Sequence, residues 1–242
     1  MIRRVLDVAA WLGIVAAAAA ALYWEFLNTT ESQVLTLFLS AVLVTALIVV
    51  AAVGGSAAVL LAQGESRKGS LTKAARRPHW FLLATLSGAL LVRLILRGDA
   101  WIARYSGEIS AWFIATFNLA DVTSLFVAEA YVSLWLRWVV IPVGALAAVA
   151  SALQYGAGAV VSSRWIRAAC RWQSLAATTG AFVLLIALPW RMTTWQPSRV
   201  TPVWMDPALA GLRLLIVGIV MLVGAAIVVL ITARAAGAPG RD

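Results

Sequence analysis

Between Glu31 and Glu65 the chain carries no charged residue. Read as helix, the apolar run over 33–62 is about 45 Å long, more than the ~30 Å of a bilayer's hydrocarbon core, so it must tilt, bend or protrude. Five further runs are long enough to cross. The six expected spans are 5–27, 33–62, 80–97, 130–153, 173–190 and 206–232. Backbone groups in lipid have to be satisfied within their own segment, and the runs are too long for barrel strands, so the spans are helices. The composition agrees, at 63% hydrophobic and 12% charged, against about a quarter charged in soluble domains. The expected fold class is all-α: one polytopic transmembrane helical bundle over 1–242, with extra interfacial helices.

The first run follows Arg3 and Arg4 and ends among alanines, as a secretory signal does, but it is long enough to span and reads as an uncleaved first helix. Only the polar NTTES separates it from the second run, so the two should pack as an antiparallel hairpin. Gly54, Gly55 and Ser56 mark a bend in the second run or, the better reading, a close helix contact.

Charge sets the orientation. Arg3 and Arg4, the cluster from Arg67 to Arg77, Arg164, Arg167 and Arg171, and Arg234 and Arg241 make twelve of the nineteen basic residues, all on one side of this map. By the positive-inside rule that side is the cytoplasm, which places both termini there. The other half balances Arg93, Arg97, Arg104, Arg137, Arg191, Arg199 and Arg213 against seven acids, so the whole net charge of +9 lies inside. The excess therefore reports orientation and contact with anionic lipid, not nucleic-acid binding. Trp24, Trp101, Trp135, Trp138 and Trp190 fall at the outer boundary, and Trp80, Trp165 and Trp172 at the inner one, as an interfacial belt requires. Alanine and arginine richness points to a bacterial inner membrane.

Three connecting regions have character. Residues 98–129 are apolar but broken by acids, and read as helices on the outer surface, partly re-entrant in the alternative. Residues 160–172 put Arg164, Arg167 and Arg171 together beside a Trp165/Trp172 stripe, a cytoplasmic amphipathic helix for the anionic leaflet. The loop over 64–78 is basic and polar, a solvated determinant of orientation, and the tail 233–242 follows the last span, with its AAGAPGRD stretch expected to be disordered.

Little chemistry is encoded. A single Cys170 and a single His79 leave no disulfide or Cys/His metal cluster, and no nucleophile elbow, zinc-helix motif or P-loop occurs. No cofactor and no metal are expected. The span centres lack carboxylates, unlike proton-driven transporters. Three function classes remain. The first is a non-enzymatic accessory or scaffold subunit of a membrane assembly, recognising a membrane-protein partner on the outer face through Trp195 and Trp204 in the Pro/Trp loop, with Arg164, Arg167 and Arg171 against lipid. The second is a small transporter whose outer-leaflet Arg93, Arg137 and Arg213 bind an anionic substrate in a shared pocket. The third is a membrane enzyme for lipid-linked substrates using Glu108, Asp121 or Glu129, with no motif to support it. For Arg137, flanked by Trp135 and Trp138, an interface anchor is the simplest role, and any carboxylate partner should come from another helix. Pro142 removes the hydrogen bond to the Trp138 carbonyl and should disturb the helix there.

Overall fold

The structure, a computed structural model, describes residues 2–29, 33–118, 121–161, 164–193 and 205–237, and these contain helices and no strand. Six helical stretches are long and apolar enough to cross a membrane. They are α1 (Ile2–Asn28), α2 (Val34–Gln63), α4 (His79–Arg104), a stretch over Thr123–Tyr155, another over Ser174–Thr193, and α12 (Met205–Gly237). Between α2 and α4 lies α3 (Arg67–Arg76), and between α4 and the fourth stretch lies α5 (Ser106–Phe117).

The fourth and fifth stretches are not plain α-helices. α6 (Thr123–Trp135) passes through a π-turn at Leu136–Val140 into α7 (Ile141–Tyr155), and α10 (Trp172–Phe182) passes through one at Val183–Ala187 into α11 (Leu188–Thr193). Each π-turn ends two residues before a proline, Pro142 in one case and Pro189 in the other. The cause is common to both. A proline cannot donate to the carbonyl four residues back and its ring collides with it, so the preceding turn widens and closes one bond later. Ile141 N–H thus reaches the Leu136 carbonyl and Leu188 N–H that of Val183.

α1 and α2 pack as the expected hairpin. The indole N–H of Trp11 donates to the Gly54 carbonyl at 3.0 Å. A Cβ on Gly54 would fall 2.5 Å from Val15, and one on Gly55 2.3 Å from the ring of Phe81 on α4. The two glycines are therefore a double contact, with α1 on one side and α4 on the other, and α2 runs through them unbroken. Its end is sharp: Gly64 takes φ 105°, and the N–H groups of Gly64 and Glu65 cap the Leu61 and Leu60 carbonyls.

The buried core is made of small residues. Val8, Ala57, Leu60, Ala62, Ala147, Ala150, Leu230 and Ala233 interlock where the start of α1 meets the ends of α2, α7 and α12. Small side chains let backbones approach, which is how helices associate where lipid is as apolar as leucine. The first half of α2, the first part of α12 and nearly all of α4 instead expose large apolar side chains, as a surface bathed in lipid does.

Where the loop over 64–78 was expected, the chain forms α3. Ser66 caps it by accepting from the Gly69 N–H, and Ser70 and Ala74, one turn apart, are buried while the basic residues face out. Within the stretch over 160–172 the described residues break at Cys170 and Arg171, so α9 (Arg164–Ala169) ends before α10, and α8 (Ala157–Val161) precedes both. A straight helix of that length would be about 20 Å long, and neighbouring helices sit only about 8–10 Å apart, so the chain breaks before it enters the next span. The helix of the third span continues beyond 97 to Arg104, and that of the fourth begins at Thr123, well before 130.

α12 locks onto the second π-turn through Gly224, where an added Cβ would lie 2.7 Å from Leu185 Cβ and 3.4 Å from its carbonyl oxygen. Gly224→Ala should lower the unfolding free energy by about 1–3 kcal/mol through this overlap. Gly218→Ala, on the same helix with nothing within 4 Å of its Cβ position, should not. Thermal unfolding of both full-length variants in one detergent decides it.

Candidate functional site

The first π-turn controls which side chains of its span reach α4. In an unbroken α-helix Ser133 and Ile141 would stand about 80° apart. A π-turn absorbs about one extra residue and brings them to within about 20° of each other. Both then contact α4: Ile141 lies against Gly88, with 3.4 Å between its methyl and an added Cβ, and Ser133 meets Asp99. Gly88 and Asp99 are eleven residues apart, about 20° on the wheel, so one face of α4 receives both.

The polar cluster so formed has four members. The Ser133 hydroxyl donates to the Asp99 carboxylate, 2.7 Å from Oδ2 and 2.9 Å from Oδ1. Arg137 places Nη2 3.6 Å from Asp99 Oδ2, and its Nε–H donates to the Ser133 carbonyl at 3.2 Å. Glu129, one turn before Ser133, lies beside Asp99 and within the field of Arg137. The Arg137 and Asp99 side chains are 22% and 29% exposed, so the pair is largely removed from solvent. Screening is then weak and the attraction stronger than at an open surface. The cluster joins α4 to α6 with two carboxylates, one hydroxyl and one guanidinium.

Two aromatic contacts tie the same turn to the fifth span. Trp135 Nε1–H donates to Thr179 Oγ1 at 2.9 Å, and the rings of Trp138 and Phe182 stack with centroids 6.2 Å apart. Arg137 is thus surrounded by residues that hold three helical segments together.

Of the other arginines expected to form a pocket, Arg93 is exposed on α4 and Arg213 half-buried on α12. Arg93 and Asp99 are six residues apart, about 120° around the helix, so α4 directs Arg93 away from the Asp99 cluster. Arg167 and Arg171 are exposed, and α9 includes Arg164, whose side chain is outside the described part. Trp195 and Trp204 lie outside the described residues. Among the acids considered for catalysis, Asp121 accepts from the Thr123 hydroxyl at 2.7 Å and from its N–H at 3.0 Å. These bonds, the hydroxyl's first, hold its carboxyl below the ordinary aspartate range. That suits a cap on the first turn of α6 and is the opposite of what a general acid needs. Among the described residues no three His, Cys, Asp or Glu side chains gather as a metal site.

Sequence reasoning missed Ser133 and Thr179. A lone hydroxyl in an apolar helix carries no mark of its partner. Only the proline two residues beyond each π-turn was a usable signal, and it foretells a disturbance without its form.

At the other end of the bundle a cleft of ≈ 230 Å³ is lined by Arg4, Asp7, Gly64, Glu65, Ser66 and Arg67. Arg67 pairs with Asp7 at 2.7 Å, and Lys73 with Glu65. These pairs are well exposed and contribute little to stability.

Comparison with protein-family models, curated proteins and solved structures finds no match to the chain.

Two outcomes follow from the cluster. Asp99→Asn and Arg137→Gln should each destabilise the protein, and the double variant should lose less than their sum, with a coupling of about 1–2 kcal/mol. Additive losses in thermal unfolding would show that the pair is not coupled. Thr123→Val should raise the Asp121 titration midpoint toward 3.8, its ordinary value. Since that carboxyl titrates lower when folded, its cap is intact above the ordinary value and fails as pH falls through the folded one. Carboxyl NMR of the full chain in micelles reads the shift.

Proposed function

We propose that the chain is a non-enzymatic subunit of a membrane assembly, an accessory or scaffold protein that presents recognition surfaces on one face of the bilayer. The observation that carries this reading is how the cluster around Arg137 is used. Its guanidinium, the one most central to an anion-binding pocket, lies against Asp99 and the Ser133 carbonyl and holds α4 to α6. Polar groups spent on joining helices are what a scaffold requires, and paired intramembrane charge is the affordable form of it.

The location follows from charge. Arg3, Arg4, the basic face of α3, and Arg167, Arg171 and Arg234 put the excess on the side of the termini, which is the cytoplasmic side of a bacterial inner membrane, in contact with anionic lipid. The opposite side carries α5 and the Pro/Trp loop, with Trp195 and Trp204 as anchors for a partner. Residues 106–117 then lie along the outer interface.

A small permease for an anionic solute is the second reading. It is favoured by the two π-turns in adjacent stretches, since such turns recur at functional sites.

The two separate in one experiment. Gentle detergent extraction of the tagged full chain from native membranes should bring down a stoichiometric partner, lost with Trp195→Ala or Trp204→Ala. A stable protein without a partner that supports anion flux in proteoliposomes would reverse the order.

A further inference from the structure

α4 is the span with the least support from its neighbours: none of its residues is buried. Past Trp80 its half-buried positions, Phe81, Ala84, Gly88, Val92, Ile95, Asp99 and Ile102, step by three and four along one face. That face meets Gly55, Ile141 and Ser133, as described. The opposite face repeats the same rhythm and is exposed throughout: Leu83, Leu86, Leu90, Arg93, Arg97 and, two turns further, Arg104. Apolar residues at alternating steps of three and four are the seam that one helix offers another. α4 has two such seams, and the bundle uses one.

The exposed seam changes character along its length, from three leucines to three arginines. Among the described residues neither Arg93 nor Arg97 has a carboxylate within ion-pair distance. Depth makes this costly. Trp80 and Trp101 are placed to mark the two interfaces, 21 residues or about 31 Å apart, which matches the hydrocarbon thickness. Arg93 then lies about 12 Å inside the Trp101 level. Helical side chains leave the backbone leaning toward the N-terminus, which for α4 is the Trp80 end, so Arg93 starts out directed away from the nearer headgroups. Lipid phosphates answer Arg104 and Arg97 more readily than Arg93. Arg93 calls for an anion carried inside the hydrocarbon.

We infer that the outward seam of α4 docks a transmembrane helix of another polypeptide, one that carries Asp or Glu side chains at the depth of Arg93 and Arg97. Leucines at one end of the seam supply packing and the arginines at the other supply register and choice of partner. A second copy of this chain is the wrong occupant. Two-fold pairing through α4 would set Arg93 against Arg93 and Arg97 against Arg97, and like charges facing across an interface cost several kcal/mol. The inference rests on the subunit role proposed above and adds the surface and the chemistry of the partner.

The test places benzoylphenylalanine at Leu86, Leu90 or Ala100 in the full chain, with Leu214 on α12 as an exposed control, and irradiates native membranes. The expected result is a cross-link from the α4 positions to a transmembrane segment containing Asp or Glu, mapped by peptide sequencing, and none from Leu214. Arg93→Leu with Arg97→Leu should cut its yield at least about tenfold, while the Lys pair keeps most of it. Thermal unfolding of the Leu variant alone guards against misfolding, because removing charges from an exposed face should leave the isolated protein folded. Cross-links to lipid only, to a second copy of the chain, or to a polypeptide at a yield indifferent to the arginines overturn the inference. If a polypeptide is captured from Leu214 or by the tag but not from α4, the subunit role stands and this surface is wrong. If nothing is captured from any position, both fall.

Discussion

Pro142 has no N–H to give, and the arrangement of the whole fourth span follows from that absence. The ring cannot tolerate the carbonyl four residues back, so the backbone widens into the π-turn at Leu136–Val140. The extra residue rotates everything before it relative to everything after. Without that rotation, Ile141 on Gly88 and Ser133 on Asp99 would not be satisfied by one face of α4 at once. The salt bridge of Arg137, the Trp135 bond to Thr179 and the stacking of Trp138 on Phe182 all lie on the rotated side or in the turn itself. Pro189 repeats the device in the neighbouring stretch, and there Leu185 packs against Gly224. Two prolines thus set the rotation of two spans, and their neighbours are shaped to match.

The rest of the architecture is what a lipid solvent selects. With no hydrophobic drive between helices, close packing has to come from small residues, and the core where the termini meet is alanine, valine and glycine contacts. Away from it, directional contacts take over. An indole bonded to a threonine and one carboxylate cluster connect spans whose other faces carry leucine and isoleucine outward. One end of the molecule is held by shape, the other by a few specific bonds.

How much of this was legible depends on which signal each feature leaves. The six spans were readable because length and apolarity are summed over many residues, and a local exception does not erase them. The reach of α4 past 97 was hidden by Asp99 and Arg104, which lower the apolar signal, although Asp99 finds Ser133 across the seam. α3 was hidden for the opposite reason. It is polar nearly all round, and only its Ser66 cap and the buried pair Ser70 and Ala74 distinguish it from a solvated loop. The broken stretch over 160–172 has a sound amphipathic wheel, but a wheel knows nothing of the short distance to the next span. For the candidate site, the sequence supplied Arg137, a set of possible acids and the proline. It did not supply Ser133, and it could not choose Asp99, because that choice depends on a rotation by one residue inside a turn.

The arginines divide by the face on which the helix period places them, and that division explains why identical residues differ in consequence. Arg137 lies where a π-turn and a neighbouring helix bring a carboxylate to it, so its charge is spent within the fold. Arg93 is only six residues from that same carboxylate along α4, yet about 120° around the axis, and no rotation of its own side chain recovers the distance. Its neighbour Arg97 falls on the same outward seam. A helix that pairs its inward acid and leaves its outward bases exposed is polarised across its own width, and charge inside hydrocarbon is tolerated only where something answers it. The bundle answers the inward half. Among the described residues no carboxylate answers the outward half.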